Sequence, residues 1–452
     1  MATKLQRANF SGSNGSHFFL DLYYDLLSQN QTANTSTVRY YAYVGAIGGY
    51  RGSGSSSAVY INGTVVGYFS SIGSNSNTLI GTLDVTIGHN NEGAGVASYS
   101  ARADTNWTLG DASLSGSFKL PTIPRASQPT ATSANIGDAI TIYTNRKSGS
   151  FTHTLKYSFG ALSGTIATGV TDSYAWTLPS TFYAQIPNSS YGTGTITCET
   201  YNGSSLIGTK TCQFTAYASE AKCKPNISIS VADTSSLATS LTGSNQKLIK
   251  FVSNPKVTVT SSAKNSATIK STSISCGDGK SSSGSTVTFS AVESGYFKGT
   301  VTDSRGFTNS SEKTLTMVNY IKLTCNADVS RESNTSNTVK AKVNGNYFKG
   351  SFGSVTNTLS LKVRYRETGT DSWSQYFNIT SQIQNDNTYS ADVTIGTDFD
   401  YQKQYEFEFT ATDKVTSATA TDNVTQGIPP LAIFKEFIEL WGIKAFEVIE
   451  EE

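Results

Sequence analysis

The stretch VTDSRGFTNSSEKTLTMVNY, residues 301–320, decides the fold of this chain. In its first arm Phe297, Gly299 and Val301 share one face, while threonines take the other. Successive side chains of a strand point to opposite faces, so one face is core and the other is wet. The four residues DSRG indicate a turn, because Asp and Ser bond their own backbone and Gly accepts a positive φ. The stretch therefore predicts a β-hairpin.

Two other segments have the same order of strand, polar turn and strand. They are GTITCETYNGSSLIGTKTCQFTAY (194–217) and YEFEFTATDKVTSATATDNVTQ (405–426). The three hairpins are spaced by about one hundred residues, the length of an immunoglobulin-like sandwich, and each would be the final hairpin of one module. We therefore predict three tandem Ig-like sandwiches, at residues 125–222, 223–319 and 320–427.

The first block, residues 1–124, consists of short alternating runs such as HFFLDLYYDLL and STVRYYAYVGAI between Gly, Ser and Asn turns. This pattern predicts a β-sandwich that is jelly-roll-like. Asn62-Gly63 between strand-forming flanks predicts a tight hairpin. The segment KLPTIPRASQPTATS (119–133) places three prolines in nine residues and predicts an extended, stiff linker.

The last segment, residues 428–452, changes character and predicts a short amphipathic helix. Its apolar residues recur at steps of three and four: Phe434, Phe437, Ile438, Trp441, Ala445 and Val448. An apolar stripe of this size must be covered, either by the last sandwich or by another chain. We expect an assembly interface at these residues.

Charge and composition exclude several classes of function. The 452 residues include 34 Lys and Arg against 33 Asp and Glu, a net charge of +1, which gives no electrostatic reason to expect a nucleic acid or an anionic membrane as partner. No run of about 18 apolar residues and no apolar stretch behind the first basic residues are present, so we expect no membrane insertion and synthesis in the cytoplasm without a signal peptide. The five cysteines have no CxxC spacing, which argues against a zinc site.

The sequence carries no catalytic motif of the GxSxG, HExxH or P-loop type. The histidines fall in three different contexts, at His17, His89 and His153. The carboxylates of a glycosidase need a separation of about 5 to 10 Å. The pairs that could supply them are Asp84 with Glu92, or Asp104 with Asp111. Solvated turn residues are the simpler interpretation, so no catalytic residue, cofactor or metal ligand is predicted.

Aromatic residues in the first block are interspersed with Ser, Gly and Asn. Rigid amphipathic rings beside short polar groups are typical of an adaptable binding surface, and sugars are natural ligands for it. The candidates are Tyr41, Tyr43, Tyr99 and Trp107. Tyrosine is also a good strand residue, and Tyr40 faces oppositely to Tyr41 and Tyr43, so part of this set belongs to the core.

Order and spacing along the chain carry a family resemblance. The segments concerned are SQNQTANTSTVRYYAYV (28–44), the DSRG hairpin followed by Tyr320, and Gly427-Ile428-Pro429. From residue 1 to about 428 the chain resembles minor structural proteins of siphophages that infect Gram-positive bacteria. The resemblance implies a tail or baseplate component of the virion, made in the host cytosol, with other phage tail proteins as partners and contact with the cell wall. The C-terminal sequence departs from the continuation expected for the family.

The sequence as a whole predicts a non-enzymatic structural component of a tailed-phage virion. Virion parts are built by symmetric repetition of one interface, so we expect a homo-oligomer. Adsorption to the host through a cell-wall glycan is a second layer of this hypothesis. The alternatives are a phage tail enzyme that cleaves wall polysaccharide and a bacterial Ig-like adhesin, which should show an export signal and a wall anchor.

Overall fold

The computed structural model describes residues 1–427, 431–433, 437–440 and 443–447. Most of these residues lie in β-strands, so the predicted mostly β class is confirmed. Helices in this described part are short: α1 (Glu220–Cys223), α2 (Ser236–Thr242) and the 3-10 helices Gly15–His17 and Ser180–Gln185. The chain divides into two compact units, Met1–Ser219 and Glu220–Glu452.

The first unit begins with a β-sandwich, named here the N-terminal sandwich. Its strands, all within residues 1–120, are β1 (Thr3–Asn9), β2 (Phe18–Asn30), β3 (Thr35–Ala46), β4 (Gly52–Ile61), β5 (Thr64–Ile72), β6 (Asn77–Gly88), β7 (Gly95–Asp104) and β8 (Ala112–Leu120). They form sheets in the orders β1-β2-β3-β6 and β5-β4-β7-β8. The predicted sandwich is confirmed. Its strand order, with β1, β2 and β3 paired consecutively, differs from the two Greek keys of a jelly roll.

Strand alternation explains the core of the N-terminal sandwich. Leu22 of β2 and Tyr40 of β3 are fully buried and meet Val59 of β4 from the second sheet. The β4–β5 hairpin turns at Asn62 and Gly63, whose φ angles are 48° and 82°, as the Asn-Gly pair predicts. The outer faces of both sheets remain available for tyrosines and charged residues.

The second sandwich completes the first unit. Its strands are β9 (Thr130–Ala131), β10 (Ala134–Asn135), β11 (Ala139–Tyr143), β12 (Phe151–Phe159), β13 (Leu162–Val170), β14 (Ser173–Thr177), β15 (Tyr191–Asn202) and β16 (Ser205–Tyr217). The sheet orders are β10-β16-β15-β12-β13 and β14-β11-β9. Trp176 of the smaller sheet packs against Phe214 of the larger one, with ring centroids 5.6 Å apart. The smaller sheet holds β9, β11 and β14, and the larger one holds β12, β13, β15 and β16 with β10 at its edge. An Ig sandwich divides its strands between two sheets in this way.

The second unit contains two further Ig-like sandwiches. The third has β17 (Asn226–Asp233), β18 (Lys247–Ile249), β19 (Pro255–Ser262), β20 (Ile269–Cys276), β21 (Ser281–Ser283), β22 (Thr286–Thr288), β23 (Tyr296–Asp303), β24 (Thr308–Thr314) and β25 (Thr316–Val318). The fourth has β26 (Asn326–Arg331), β27 (Val339–Asn346), β28 (Ser360–Glu367), β29 (Phe377–Ile379), β30 (Gln382–Ile383), β31 (Thr388–Gly396), β32 (Tyr405–Thr412) and β33 (Ser417–Val424). Their principal sheet orders are β17-β19-β22 with β21-β20-β23-β24, and β26-β27-β31-β30 with β29-β28-β32-β33. Both follow the Ig arrangement of early and late strands.

The hairpin of residues 301–320 is confirmed. β23 and β24 pair antiparallel, from Tyr296 with Thr314 to Thr302 with Thr308. The turn is held by Asp303, whose Oδ1 accepts backbone hydrogen bonds at 2.9 and 3.0 Å. The corresponding pairs β15–β16 and β32–β33 are hairpins too, as predicted from the repeated pattern.

The helix predicted for residues 428–452 is wrong in the described part of that segment. Here β34 (Leu431–Ile433), β35 (Phe437–Leu440) and β36 (Ile443–Glu447) form an antiparallel sheet. Glu439 pairs with Lys444 in the register of β35 and β36. Two residues, one of them Gly442, separate these strands in the sequence, a spacing typical of tight hairpins. Short runs of β-branched and aromatic residues can place apolar residues three and four positions apart in strands as well. The spacing therefore does not by itself indicate a helix.

Candidate functional site

Tyr41 and Tyr43 lie on the outer face of β3, opposite the core residue Tyr40. The Tyr43 ring lies 5.2 Å from the ring of Tyr23, which pairs with Tyr41 across β2 and β3. The Tyr41 hydroxyl donates a hydrogen bond to Asp25 at 3.0 Å, and this bond raises the pKa of Tyr41. Two predicted ligand candidates therefore come together with Tyr23 in a half-exposed cluster, named here the tyrosine face.

A buried carboxylate anchors the tyrosine face. Asp21 is 0% exposed although it lies on the outer side of β2, paired with Tyr43. Lys4 Nζ and Arg7 Nη2 each lie 2.7 Å from Asp21 Oδ2. The Arg7 guanidinium also stacks 3.5 Å from the centre of the Phe19 ring, and its bond to Asp21 raises the pKa of Arg7. Fixed charges therefore hold the edge of the aromatic cluster in place.

Tyr99 and Trp107 do not join the tyrosine face, because both belong to the other side of the N-terminal sandwich. The Trp107 indole donates to the carbonyl of Ser55 at 2.8 Å, and its ring lies 5.5 Å from that of Phe69. Tyr99 on β7 packs 6.3 Å from Phe118 and against the core. These contacts give both side chains a packing role, and the structure does not bring the four candidates together.

A groove of about 590 Å³ is lined by residues of β4, β7 and β8 and by Gln6 of β1. It is named here the Tyr60 groove, after the half-buried aromatic residue in its wall. The other polar residues that line it include Ser100, Arg102, Ser113 and Ser115, all exposed. The sequence analysis does not select Tyr60 as a candidate. The signal it missed is strand register, which places Arg102 directly beside Tyr60.

Two serine–histidine pairs have the bonding of a nucleophile with its base. The Ser36 hydroxyl lies 2.7 Å from His89 Nε2, and His89 Nδ1 donates to the carbonyl of Gly93 at 2.7 Å. Ser127 pairs in the same way with Nε2 of His153 at 2.9 Å. Both serines are 0% exposed, so no substrate reaches either hydroxyl. The Ser36–His89 pair joins β3 to the segment after β6, and the Ser127–His153 pair joins the linker to β12.

The acids considered for a glycosidase each have a partner of their own. Asp84 is bound by both ends of the Arg39 guanidinium at 2.6 and 2.7 Å, which holds the pKa of that carboxyl below its usual range. The other three acids also have partners: Glu92 pairs with Lys210, Asp104 pairs with Arg102, and Asp111 accepts from the backbone N–H of Thr105. An ionised carboxylate in an ion pair is a poor proton donor. Across the described residues, His, Cys, Asp and Glu form no group of three that could hold a metal ion.

The assembly candidates are divided by the limits of the described residues. Phe437, Ile438 and Ala445 lie on strands β35 and β36. Phe434, Trp441 and Val448 lie outside the described residues. None of the helices in the described part of the chain has the length and apolar character needed to cross a bilayer.

Comparison with known families places the chain. A family model described as "Siphovirus protein of unknown function (DUF859)" matches residues 7–428. The chain belongs to this siphovirus protein family. The resemblance noted from the sequence is thereby confirmed, and the membership suggests a structural protein located in the phage virion. A comparison of this siphovirus protein with curated proteins found no match.

Solved structures that match the siphovirus protein do so at low sequence identity. One is a tetra-tandem repeat in the extending region of a large adhesion protein, with 14% identity, a TM-score of 0.32, and coverage of 89% of this chain and 98% of that chain. Another is a Ca²⁺-stabilised adhesin that helps an Antarctic bacterium reach out and bind ice, with 13% identity, a TM-score of 0.23, and coverage of 93% and 99%. Similarity at this level carries no argument about function.

In the siphovirus protein, the segment 28–44 that carried the resemblance forms part of a joint between the first two sandwiches. The guanidinium of Arg125 donates to the carbonyls of Gln31 and Ile207, the second of these bonds at 3.0 Å. The side chain of Gln29 donates to the carbonyl of Pro121 at 2.7 Å. The predicted stiff linker is thus clamped on both sides. These bonds are named here the polar clasp.

Further bonds close the polar clasp. Asn202 in the turn of the β15–β16 hairpin donates to the side chain of Gln31 at 2.7 Å. The backbone N–H of Ile123, a fully buried residue, donates to the carbonyl of Gly93 at 2.9 Å. An exposed ion pair between Lys210 and Glu92, at 3.3 Å, lies at the rim. The two sandwiches of the first unit therefore share a continuous network of hydrogen bonds.

The joint within the second unit has a different composition. Its centre is an apolar cluster of buried residues, named here the apolar joint: Ala238, Leu241, Ile249, Tyr320 and Phe352. Leu241 and Ala238 come from helix α2. Its N-cap is Ser235, whose hydroxyl oxygen accepts a hydrogen bond from the Ala238 N–H at 3.2 Å. The hydroxyl of Tyr320 donates to Asp413 at 3.0 Å. Burial raises the pKa of Tyr320, and the nearby carboxylate adds to the effect.

Proposed function

We propose that this siphovirus protein is a non-enzymatic structural component of the phage tail or baseplate that contributes to host adsorption by binding a cell-wall glycan. The observation that carries the proposal is the polar clasp. A tail part that presents a binding surface must hold that surface in a fixed place on the virion. The clasp replaces a free linker by hydrogen bonds to Arg125, Gln29 and Gln31, so the N-terminal sandwich is held firmly on its neighbour.

The bonding and burial of the candidate catalytic groups in the described residues support a non-enzymatic role. The serine–histidine pairs are closed by burial of Ser36 and Ser127. Asp84, the most fully bonded of the candidate acids, is held ionised by Arg39. A glycosidase needs one carboxyl that retains its proton near neutral pH, and an ion-paired carboxyl has the opposite property.

The tyrosine face supports the glycan-binding part of the proposal. Tyr23, Tyr41 and Tyr43 present three neighbouring, half-exposed rings on one sheet face, and the rings are oriented by strand pairing and by Asp25. Aromatic area that is fixed before binding loses little entropy when a sugar stacks on it. Fixed rings beside polar groups therefore suit a saccharide ligand.

Homo-oligomerisation and docking to other tail proteins through the C-terminal segment are part of the same proposal. Ile438 is central in its sheet, paired with Ile433 on one side and Phe446 on the other. In the full chain, Ile438→Asp should convert a defined oligomer into monomers, measured by light scattering at several concentrations. Asn423→Asp, on strand β33 of the fourth sandwich, is the matched charge control. A wild-type chain that is monomeric throughout would remove self-association from the proposal.

The adsorption part is tested with purified full-length protein and cell walls of the phage's host. We expect saturable binding to the walls, competition with phage adsorption, and no release of new reducing ends. Antibodies against the purified protein should label the tail in electron micrographs. Release of reducing ends would replace this proposal by the polysaccharide-cleaving enzyme, and absence of tail labelling would contradict the structural role.

A further inference from the structure

We infer that the Tyr60 groove binds a neutral oligosaccharide, which contacts the Tyr60 ring and bonds the serine hydroxyls along β7 and β8. This inference rests on the proposed adsorption function and assigns it a site apart from the tyrosine face. Most residues of the groove lie on the other sheet of the N-terminal sandwich, on β4, β7 and β8, and Gln6 of β1 also lines it. Its volume, about 590 Å³, is in the range of small-molecule sites in proteins.

Strand register builds the floor of the groove as two adjacent polar rows. Tyr60 on β4 pairs with Arg102 on β7, which pairs in turn with Ser113 on β8. One step along, Ser100 pairs with Ser115. Side chains two residues apart on a strand lie on the same face, so the three serine hydroxyls and the guanidinium are presented together.

The aromatic wall is held in position before any ligand arrives. The guanidinium carbon of Arg102 lies 4.8 Å from the centre of the Tyr60 ring. Such a cation–π contact restricts rotation of the ring. The ring is half-buried and therefore still offers surface, which an apolar face of a sugar can cover.

The charge balance selects a neutral ligand. Among the residues that line the groove, all of them in the described part of the chain, Arg102 is the charged one. Its Nη2 lies 2.7 Å from Asp104 Oδ2, so the positive charge already has a partner. An anionic sugar would have to compete with that carboxylate at close range, whereas a neutral sugar would not. Serine hydroxyls both donate and accept, which matches the hydroxyls of a neutral saccharide.

The test uses the full-length protein and a printed array of neutral hexose and N-acetylhexosamine oligosaccharides beside phosphorylated and sulfated counterparts. We expect binding to neutral members, followed by titration calorimetry with the best of them. Tyr60→Ala should weaken binding about tenfold, because the stacking surface is lost. Ser113→Val should weaken it less. Tyr68→Ala is the matched control: Tyr68 is 67% exposed on the adjacent strand β5, pairs with Ala58, and does not line the groove.

Different failures point to different conclusions. Wild-type binding that Tyr60→Ala leaves unchanged and Tyr43→Ala abolishes would overturn the groove site and leave adsorption to the tyrosine face. Selective binding of the phosphorylated or sulfated oligosaccharides would overturn the neutral ligand. Binding to host walls without binding to any neutral oligosaccharide would overturn the inference and leave the proposed function standing. Absence of binding to both would contradict the proposed adsorption function itself. Tyr60→Phe, which keeps the ring, should retain binding and shows that Tyr60→Ala acts through the lost aromatic surface.

Discussion

The joint within the first unit and the joint within the second unit connect neighbouring sandwiches by opposite means. The polar clasp uses donors on long side chains, chiefly Arg125 and Gln29, that reach backbone carbonyls of the adjoining loops. The apolar joint buries Phe352 and Leu241 beside the Tyr320–Asp413 hydrogen bond. Hydrogen bonds are directional and individually modest, while apolar burial is non-directional and strong. The polar clasp therefore fixes the geometry between its two sandwiches. The apolar joint is expected to contribute more to the free energy of unfolding.

The largest effect is expected from Phe352→Ala in the apolar joint. Phe352 is 0% exposed, so the truncation should leave a cavity and lower the free energy of unfolding of the second unit by about 3–5 kcal/mol. Phe348→Ala in the same cluster is the matched control, because Phe348 is only partly buried and should cost less. Chemical denaturation of the full chain measures both. Equal costs would contradict the view that burial dominates this joint.

A smaller effect is expected from Arg125→Ala in the polar clasp. Loss of the guanidinium leaves the carbonyls of Gln31 and Ile207 without that donor and should cost about 2 kcal/mol. Faster hydrogen exchange at the flanking loops, 28–34 and 202–207, reports the loosened joint. Arg125→Lys should restore the exchange rates only in part, since an ammonium lacks the planar fork. Full protection in Arg125→Ala would show that the clasp contributes no rigidity.

Tyr320→Phe removes the one hydroxyl that reaches Asp413 across the apolar joint, at an expected cost of about 1 kcal/mol. The variant also has a pH signature. The folded pKa of Tyr320 is raised, so its contribution to stability is fully present below the unfolded pKa of about 10 and falls as the pH rises beyond it. Wild type should therefore lose more stability than Tyr320→Phe between about pH 10 and 12. Chemical denaturation of both proteins at each pH measures this difference. An equal loss of stability in the two proteins would contradict the assignment.

The smallest effect is expected from Glu92→Gln at the rim of the polar clasp. Its ion pair with Lys210 is exposed, so the cost should be at most about 0.5 kcal/mol and should vanish in high salt. A salt series of unfolding curves measures it. A cost above that of Arg125→Ala would mean that charge at the rim, and not the donors Arg125 and Gln29, holds the first unit together.

Local features of the fold could be predicted from the sequence. The hairpins around DSRG and Asn62-Gly63 are encoded by residues next to one another, so alternation and turn chemistry identify them. The C-terminal segment shows the limit of this reasoning. Apolar steps of three and four in residues 434–448 fit a helix, yet the described residues pair as short strands, because cross-strand partners such as Ile433 and Ile438 decide the outcome.

The candidate sites depend on register, which a single sequence does not specify. Tyr41 and Tyr43 could be predicted as neighbours because they lie two residues apart on one strand. Trp107 is a predicted ligand candidate, and its contacts with Ser55 and Phe69, which are distant in sequence, could not be predicted from the sequence. The pairing of Tyr60 with Arg102 spans 42 residues of chain in the same way. Contacts of this range form only when the whole sheet is assembled.

The acceptors of the polar clasp have a consequence for how this protein can diverge. Arg125 donates hydrogen bonds to the backbone carbonyls of Gln31 and Ile207, and Gln29 donates to that of Pro121. Every residue has a backbone carbonyl, whatever its side chain. Substitutions at positions such as 121 and 207 therefore leave these bonds available as long as the backbone path is kept. The outer surfaces of the first unit can therefore change in sequence, and with it in ligand, without loss of these bonds. A few donor side chains suffice to keep the arrangement of its two sandwiches.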